Sequence, residues 1–324
     1  LEKYRHLFEG DIKKVDEKIL SLSDNRPQLI KTLVTYIINS GGKRLRPVLL
    51  ILSSKLCDNK SANHIDLAAC VELLHTATLF HDDVVDGSQL RRGRKTANEL
   101  YGNAASVLVG DFLLAASFEI MADFGDMEVI KILSRTSSII TQGEVKQLMN
   151  RTNIEVTQED YIDIITAKTA ALFASTCRVG AVVAGSSKET KQLLEDFGLN
   201  LGIAFQIADD ALDYNADQND LGKKIGDDFR EGKVTLPVIL AYQSASDIER
   251  KFLNDMFLQP EDKRNDEGLK LILELMKKYN AIENSIAMAK TYSAKARKCI
   301  SQFADAEVRS ALVDILDFSV DRKF

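Results

Sequence analysis

Proline is rare in this chain, and its scarcity constrains the fold more than any other feature. Only Pro27, Pro47, Pro237 and Pro260 occur in 324 residues. Proline removes a backbone donor and clashes with the preceding helical turn, so a chain with so few prolines can form long helices. No segment shows the strict apolar–polar alternation of a half-buried strand. The sequence therefore predicts an all-α protein built from long helices.

Apolar residues recur at helical spacing through most of the chain, for example over residues 30–38. Pro47 fits the first position of the helix that follows. Further helices are predicted at about 65–86, 104–124, 127–149, 158–184, 188–213 and 235–256, with two or three more over 268–320. The polar stretches 215–232 and 259–267 are predicted loops. No low-complexity linker divides the chain, so a single domain over residues 1–324 is expected.

Charge and composition exclude several classes of function. The formal net charge of −6 provides no basic field for nucleic acid. No run of about 18 apolar residues occurs, and the first 20 residues are amphipathic and charged, so neither a transmembrane segment nor a signal peptide is expected. The four cysteines form no CxxC pair and are expected to be buried, reduced thiols. A cytoplasmic protein fits these features.

Two aspartate clusters repeat the pattern DDxxD inside apolar helical segments. They are Asp82, Asp83 and Asp86, and Asp209, Asp210 and Asp213. The first and third aspartates of each stack on one helix face, where like charges repel, and burial increases the repulsion. Mg²⁺ would offset it, because this ion takes one or two protein carboxylates together with water and phosphate oxygens. The clusters therefore predict Mg²⁺ held around a diphosphate, and the alternative is two solvated helix faces with chance aspartates.

Basic residues occur in four places where an anion could bind. They are Lys43, Arg44 and Arg46 before a predicted helix start, Arg91 and Arg92 after the first cluster, Lys168 within a long helix, and Lys223, Lys224 and Lys233 after the second cluster. Helix N-termini attract phosphate, and lysine or arginine adds to that attraction. Taken singly, each is more often surface charge, and this is the interpretation given to Arg44 and Lys224.

The histidines and nearby polar residues have separate interpretations. His6 and His64 are expected at the surface. His81 is rotated by about 100° from Asp82 on the helix, which favours a core or supporting role over metal binding. His75 and Thr78 lie on the helical line of Asp82, whereas Gln206 precedes Asp209 by one turn.

Common catalytic and nucleotide-binding signatures do not occur in the sequence. It contains no GxSxG, HExxH, GxxxxGK[ST] or strand-linked GxGxxG pattern. Nucleophilic catalysis and a nucleotide-binding loop are therefore not expected.

The ordered motifs resemble those of the trans (E-type) polyprenyl diphosphate synthases. The motifs are GGKRLRP at 41–47, ELLHTATLFHDDVVD at 72–86, RRG at 91–93, GNAASVLVGDFLL at 102–114, GE at 143–144, KT at 168–169, FQIADDALD at 205–213 and GKKIGDDFREGKVTLP at 222–237. The resemblance covers roughly residues 25–322 and is closest to the octaprenyl diphosphate synthases that make the quinone side chain.

This resemblance implies the isoprenoid synthase fold, a single large bundle of long helices around a central cavity, usually as a homodimer. It implies Mg²⁺-dependent condensation of isopentenyl diphosphate onto an allylic diphosphate such as farnesyl diphosphate, with the product delivered to the membrane. The family's ending is expected to be rich in arginine. The final residues here read DRKF, which departs from that expectation, so no basic C-terminal role in closing the site is predicted.

The resemblance also implies a role for each motif residue. The six clustered aspartates bind Mg²⁺ and the allylic diphosphate. The same diphosphate is held by Arg91, Lys168, Lys223 and Lys233. Isopentenyl diphosphate is held by Lys43, Arg46, His75 and Arg92. Gln206 and Thr169 line the reacting centre, and the segment 215–232 is the expected lid.

Product length is expected to depend on the residues one helical turn before Asp82. Ala77 and Thr78 are small there, whereas relatives with short products resemble this chain but carry aromatics. Phe118 and Met121 on the neighbouring helix are candidates for the tunnel floor, with plain core as the alternative. An isoprene unit spans roughly one helical turn and a 20-residue helix about 30 Å, so about six to eight units would fit.

Three alternatives to a long-chain synthase remain open. They are a shorter-chain prenyl diphosphate synthase, a class I terpene cyclase and a non-catalytic subunit of a two-chain synthase. Cyclases typically carry an Asn/Ser/Glu pattern as their second metal motif, whereas this chain has DDALD. Non-catalytic subunits usually lose aspartates, and this chain keeps all six.

Overall fold

Long α-helices dominate the computed structural model, which describes residues 2–39, 42–91, 93–215 and 225–320. The described helices are α1 (Glu9–Ser21), α2 (Gln28–Asn39), α3 (Leu45–Leu56), α4 (His64–Val85), α5 (Ala97–Tyr101), α6 (Asn103–Phe124), α7 (Met127–Met149), α8 (Gln158–Ile165), α9 (Ala171–Val183), α10 (Lys188–Leu212), α11 (Asp227–Arg230), α12 (Leu236–Ser244), α13 (Asp247–Phe257), α14 (Asp266–Lys278), α15 (Ala281–Ile300) and α16 (Ala306–Val320). The predicted all-α class is confirmed.

Short elements complete the described chain. A π-helical turn joins α8 to α9, two 3₁₀ helices occur, and a small antiparallel hairpin follows α4. They span Thr166–Ala170 for the π turn, Glu2–Leu7 and Glu261–Lys263 for the 3₁₀ helices, and Leu90–Arg91 (β1) and Arg94–Lys95 (β2) for the hairpin.

Several predicted helix boundaries need correction. The predicted helix at 235–256 is two helices, because Ser246 begins α13 with a capping box in which Glu249 accepts from the Ser246 backbone N–H at 2.9 Å. The predicted helix at 158–184 contains the π turn. Pro47 is the third residue of α3 rather than the first.

The described chain divides into two compact units, each made of segments that are separate in sequence. The first comprises Leu1–Ser137, Leu172–Gly198 and Cys299–Ile315, and the second comprises Ser138–Ala171, Leu199–Lys298 and Leu316–Phe324. The single domain expected from the sequence stays a prediction.

In the first unit α4 is the central helix. It packs against α1, α3, α5 and α6, and its side chains Leu67, Val71 and Phe80 are fully buried. A helix covered on several sides is apolar almost all round, so its few buried polar residues need partners inside the unit. This requirement shapes the candidate site at its C-terminal end.

In the second unit α12 packs against α8, α13 and α14. Phe229 on α11 and Phe257 on α13 meet edge to face with ring centroids 5.4 Å apart, and both rings are fully buried. The predicted loop 215–232 thus contributes a short helix and a core phenylalanine at its C-terminal end.

The prediction that His64 lies at the surface is wrong. His64 begins α4 and is only 5% exposed, with its Nε2 atom 3.3 Å from Asp11 Oδ2. Lys55 Nζ lies 2.9 Å from the same carboxylate oxygen. Because α1 covers the start of α4 and supplies Asp11, His64 is enclosed. His6 is exposed, as predicted.

All four cysteines are free thiols. Cys70 and Cys177 are buried, whereas Cys57 and Cys299 are half-buried, so the prediction of burial is confirmed for only two of the four.

Within the described residues, α6 is the one helix whose length and composition would let it cross a membrane. A core helix of a soluble protein meets the same criterion, and α6 packs against α4.

Candidate active site

The first aspartate cluster occupies the last turn of α4, where Asp86 caps the helix. Asp82 and Asp86 are half-buried and lie one turn apart on one face. The negative end of the helix dipole disfavours carboxylates in a last turn, whereas it favours a cation there. The cluster thus has the charge and the position to attract a metal ion.

The middle aspartate, Asp83, faces a different direction because one residue rotates the helix by about 100°. It is almost fully buried, and its Oδ1 accepts hydrogen bonds from Arg91 Nε at 2.9 Å and Nη2 at 2.7 Å. Burial raises the pKa of Asp83, and the hydrogen bonds and charge of Arg91 oppose that rise. Asp83 therefore fixes Arg91, and its predicted contact with Mg²⁺ stays a prediction.

The hairpin explains why Arg91 returns to the helix from which its segment departs. Gly87 leaves α4 with a φ of +62°, and β1 and β2 pair Arg91 with Arg94. Asn98 holds the turn by donating to the backbone oxygens of Asp83 and Ser88 at 3.3 and 3.2 Å. The hairpin thus brings Arg91 back to Asp83, eight residues earlier in the sequence, and the two form an ion pair.

His81 contacts α6 beside the cluster. Its Nε2 lies 3.2 Å from Asp111 Oδ1 and 3.3 Å from the Val107 carbonyl oxygen. A Cβ at Gly110 would come within 2.5 Å of the His81 ring, so glycine permits this close approach. These contacts agree with the supporting role predicted for His81.

The GGKRLRP segment begins α3 in the same unit. Lys43 is exposed and Arg46 is half-buried, with the Arg46 guanidinium 4.7 Å from the centroid of the Phe173 ring. Arg44, which was interpreted as surface charge, is instead enclosed by two carboxylates and a backbone oxygen. That interpretation is wrong because α1 and α4 both supply acids to it.

The four proposed chain-length residues occupy different environments in the first unit. Ala77 and Met121 are each 2% exposed, whereas Phe118 is 43% exposed on α6, so a core interpretation of Phe118 is wrong. Thr78 is half-buried and donates its hydroxyl to the His75 carbonyl oxygen at 2.7 Å, which ties it to the preceding turn. Their influence on product length stays a prediction.

The second aspartate cluster lies at the end of α10 in the second unit, and so it repeats the helix-dipole arrangement of the first. Burial and the like charges of Asp209 and Asp213 raise the pKa of Asp210 to about 7. Gln206 donates to Asp210 Oδ1 at 2.7 Å, and Thr169 donates to Gln206 Oε1 at 2.9 Å. Gln206 and Thr169 therefore orient the middle aspartate.

Tyr161 on α8 completes this network, although no sequence motif indicates it. Its hydroxyl donates to Asp210 Oδ2 at 2.6 Å, and both residues are buried. Burial and the nearby carboxylates raise the pKa of Tyr161 well above its usual value, so it remains a donor. The two residues are 49 positions apart, and no local pattern links them.

Replacing Tyr161 with phenylalanine is expected to lower the free energy of unfolding by about 1–3 kcal/mol, because a buried carboxylate loses a donor. Thermal or urea unfolding at pH 8, above the raised pKa of Asp210, measures the loss. Tyr279→Phe is the matched control: its hydroxyl also donates to a carboxylate, Glu249 at 2.8 Å, but Glu249 keeps Lys278 and Ser246 as partners. Equal losses in the two variants would contradict the special role of Tyr161.

Lys168 lies in the π turn and donates to Glu144 Oε2 of α7 at 2.7 Å. A Cβ at Gly143 would lie 2.7 Å from the Lys168 backbone nitrogen, so α7 can approach the π turn only at a glycine. Single π turns often occur at functional sites. The GE motif thus serves to place and pair Lys168, a role that the sequence did not reveal.

Asp228 on α11 is a further acidic residue beside the second cluster, and it lies outside the DDxxD pattern. Its backbone N–H donates to Asp213 Oδ2 at 3.0 Å, and burial with the like charges of Asp213 and Asp210 raises its pKa well above the usual value. Lys233 opposes that rise, and its Nζ also pairs with Glu231. In the sequence, the pair Asp227–Asp228 in the motif GDDFREGK is the pattern that could have indicated a further acidic residue at this site.

Some predicted residues lie outside the described residues. They are Arg92, Lys223 and Lys224, together with residues 216–224, which are half of the proposed lid over 215–232.

The donor set fits a hard divalent cation. Carboxylate oxygens dominate both clusters, and each cluster lies at the negative end of a helix. Among the residues that the structure describes, no three His, Cys, Asp or Glu side chains converge into a metal cage. Mg²⁺ does not require such a cage, because it usually binds one or two carboxylates and completes its shell with water and phosphate oxygens. The outer carboxylates are the ones that would hold such an ion, Asp82 and Asp86 in the first unit and Asp209 and Asp213 in the second. The predicted contacts of Asp83 and Asp210 with Mg²⁺ stay predictions.

Known proteins resemble this chain over almost its entire length. The Polyprenyl synthetase family model matches residues 27–276. The octaprenyl diphosphate synthase of Escherichia coli is 38% identical over 322 residues, covering 99% of each chain. The all-trans-nonaprenyl-diphosphate synthase (geranyl-diphosphate specific) of Rhodobacter capsulatus is 36% identical, covering 96% of this chain and 95% of that one.

A solved structure supports the same relationship. Polyprenyl synthase from Caulobacter crescentus CB15, complexed with calcium and isoprenyl diphosphate, matches with a TM-score of 0.93 and 41% identity. The match covers 100% of this chain and 98% of that one. The predicted isoprenoid synthase fold is therefore confirmed, and the chain belongs to the polyprenyl synthetase family of prenyltransferases.

Proposed function

We propose that this polyprenyl diphosphate synthase is the octaprenyl enzyme of quinone side-chain biosynthesis. It extends an allylic diphosphate such as farnesyl diphosphate with successive isopentenyl diphosphate units in a Mg²⁺-dependent reaction. The enzyme acts in the cytoplasm as a homodimer and delivers its product to the membrane. The octaprenyl diphosphate synthase of Escherichia coli, similar over the full length, supports this product length.

One observation carries the proposal: each DDxxD cluster lies in the last turn of a long helix, with its middle aspartate held by protein donors. Arg91 holds Asp83, and Tyr161 with Gln206 holds Asp210. The outer aspartates of each cluster remain on the other face, one turn apart. Such a paired-carboxylate face suits a metal that also binds a diphosphate.

In the proposed reaction the C–O bond of the allylic diphosphate breaks and leaves an allylic cation and inorganic diphosphate. Mg²⁺, when bound, would neutralise the diphosphate oxygens. Arg91, Lys168 and Lys233 stabilise the negative charge of the leaving group, and preorganised charges of this kind commonly supply the largest catalytic contribution.

The double bond of isopentenyl diphosphate then attacks the cation, and the proton lost in forming the new double bond passes to the released diphosphate. Lys43 and Arg46 hold the diphosphate of isopentenyl diphosphate in this scheme. The anchoring of Arg46 against Phe173 supports that role, because it limits the positions of the guanidinium. No dedicated general base is required.

The proposed homodimer is supported by exposed apolar side chains on α6. Leu108 is 67% exposed and Phe118 is 43% exposed, and the exposed Ala115 and Ala122 follow the same helical spacing. Exposed apolar side chains grouped on one helix are typical of a protein–protein contact. Sedimentation of the purified chain tests the dimer.

The reaction class is tested by incubating the purified chain with farnesyl diphosphate, labelled isopentenyl diphosphate and Mg²⁺. Incorporation of label into extended prenyl products is the expected result. Diphosphate release without incorporation would indicate a terpene cyclase. Turnover that requires a second, different chain would indicate a subunit of a two-chain synthase.

Gly143→Ala is expected to lower kcat/KM for the allylic substrate by about 10- to 100-fold, because the added Cβ pushes α7 away from the backbone that carries Lys168. Steady-state kinetics with varied farnesyl diphosphate measures the effect. Gly10→Ala on α1 is the control, since no atom lies within 4 Å of its added Cβ. Unchanged kinetics in a folded Gly143→Ala variant would show that the close approach of α7 at Gly143 does not position Lys168 for the reaction.

A further inference from the structure

We propose that Arg44 is a positioning residue that sets the geometry of Lys43 and Arg46 for isopentenyl diphosphate. This inference rests on the function proposed above and extends it to a residue outside the ligand set. Arg44 lies in sequence between Lys43 and Arg46, the two residues proposed to bind isopentenyl diphosphate. Its own side chain instead packs inside the first unit, against Asp16 and Glu72.

The Arg44 guanidinium contacts three different helices. Its Nε lies 3.0 Å from Asp16 Oδ1 on α1, and its Nη1 lies 2.9 Å from Glu72 Oε1 on α4. Its Nη2 lies 3.1 Å from the Ile38 carbonyl oxygen near the end of α2. One side chain therefore ties the start of α3 to α1, α2 and α4.

The contact with Glu72 is well shielded from water, whereas the Asp16 side chain is 34% exposed. The side chains of Arg44 and Glu72 are 12% and 8% exposed. Charge-assisted hydrogen bonds are strong and directional, and the planar guanidinium engages its acceptors in a fixed arrangement that a lysine ammonium cannot reproduce. The geometry at Arg44 is therefore tightly defined.

The Arg44 backbone adopts a conformation that a non-glycine residue rarely occupies. Its φ of 45° and ψ of 38° are left-handed, and its carbonyl oxygen accepts the Val48 N–H at 3.0 Å at the start of α3. Such strain persists only where surrounding contacts determine the conformation. The guanidinium contacts are the ones that determine it here, and they fix the direction in which Lys43 and Arg46 leave the turn.

A purely stabilising role makes a different prediction from a positioning role. If only the left-handed backbone mattered, Arg44→Gly would be tolerated, because glycine adopts positive φ readily. If only fold stability mattered, the loss would affect both substrates equally. Positioning instead predicts a selective defect for isopentenyl diphosphate in both Arg44→Lys and Arg44→Gly.

The test compares these two variants and Glu72→Gln with the wild-type enzyme. Each substrate is varied while the other is saturating, binding of isopentenyl diphosphate alone is titrated, and thermal unfolding is recorded. Arg178→Lys is the matched control, because Arg178 also pairs with two carboxylates of the first unit, Glu128 and Glu195. Glu72→Gln covers the case in which an Arg44 variant fails to fold.

The expected result for both Arg44 variants is a loss of about 10- to 100-fold in kcat/KM for isopentenyl diphosphate, with KM for farnesyl diphosphate nearly unchanged. Glu72→Gln should show the same selectivity with a smaller loss, and Arg178→Lys should show none. Equal defects for both substrates, a tolerated Arg44→Gly, or the same defect in Arg178→Lys would overturn the inference while leaving the proposed reaction intact. Failure of the wild-type chain to incorporate isopentenyl diphosphate would overturn both.

Discussion

Asp82→Ala is expected to lower kcat for isopentenyl diphosphate incorporation by about 10²- to 10³-fold while the protein stays folded. Asp82 is a half-buried carboxylate in the last turn of α4, one turn before Asp86. Removing it takes away one of the paired oxygen donors that would hold Mg²⁺ and the diphosphate leaving group. Initial rates at saturating substrates and Mg²⁺ measure the loss.

Asp66→Ala provides the matched control for that result. Asp66 lies in the first turn of the same helix, where it pairs with Lys18 at 2.9 Å and is far from the cluster along α4. An exposed pair of this kind contributes little, so near-normal turnover is expected. Near-normal turnover in Asp82→Ala, or equal losses in the two variants, would refute the metal assignment.

Ala77→Phe is expected to shorten the main product by at least about two isoprene units, since one unit spans roughly one helical turn and Ala77 lies near the turn before Asp82. The substitution is also expected to affect stability, because Ala77 is almost fully buried. A phenyl group there overpacks its surroundings, at a cost of about 1–3 kcal/mol in stability. Mass spectrometry of the products, together with thermal unfolding, reports both effects.

Two companion variants separate blockage from instability. Ala77→Val enlarges the same side chain less, so an intermediate product length is expected. Thr78→Phe places the ring at the adjacent, half-buried position. An unchanged length distribution in a folded Ala77→Phe enzyme would show that the growing chain does not pass Ala77.

Local patterns in the sequence were sufficient to predict most of the fold. Low proline content and apolar spacing predicted long helices, and α7 matches its predicted bounds of 127–149. The break between α12 and α13 was missed although its cause is local, because Ser246 and Glu249 form a capping box that the apolar pattern of 235–256 obscured. The π turn at Thr166–Ala170 has no comparable sequence pattern.

The candidate site was predictable where its chemistry follows from spacing along one helix. The i, i+4 relation between Asp82 and Asp86 is of this kind. Arg44 was misinterpreted because its two acidic partners lie 28 residues away on either side. Tyr161 was missed for the same reason. Residues that orient a ligand from a distant segment become visible only when the helices are packed together.

The length of the product made by the purified chain tests the central claim most directly. Farnesyl diphosphate, excess isopentenyl diphosphate and Mg²⁺ are supplied, and the products are resolved by mass spectrometry. The account predicts octaprenyl diphosphate as the main product. A main product of a different length, or release of diphosphate without any product longer than farnesyl diphosphate, would contradict it.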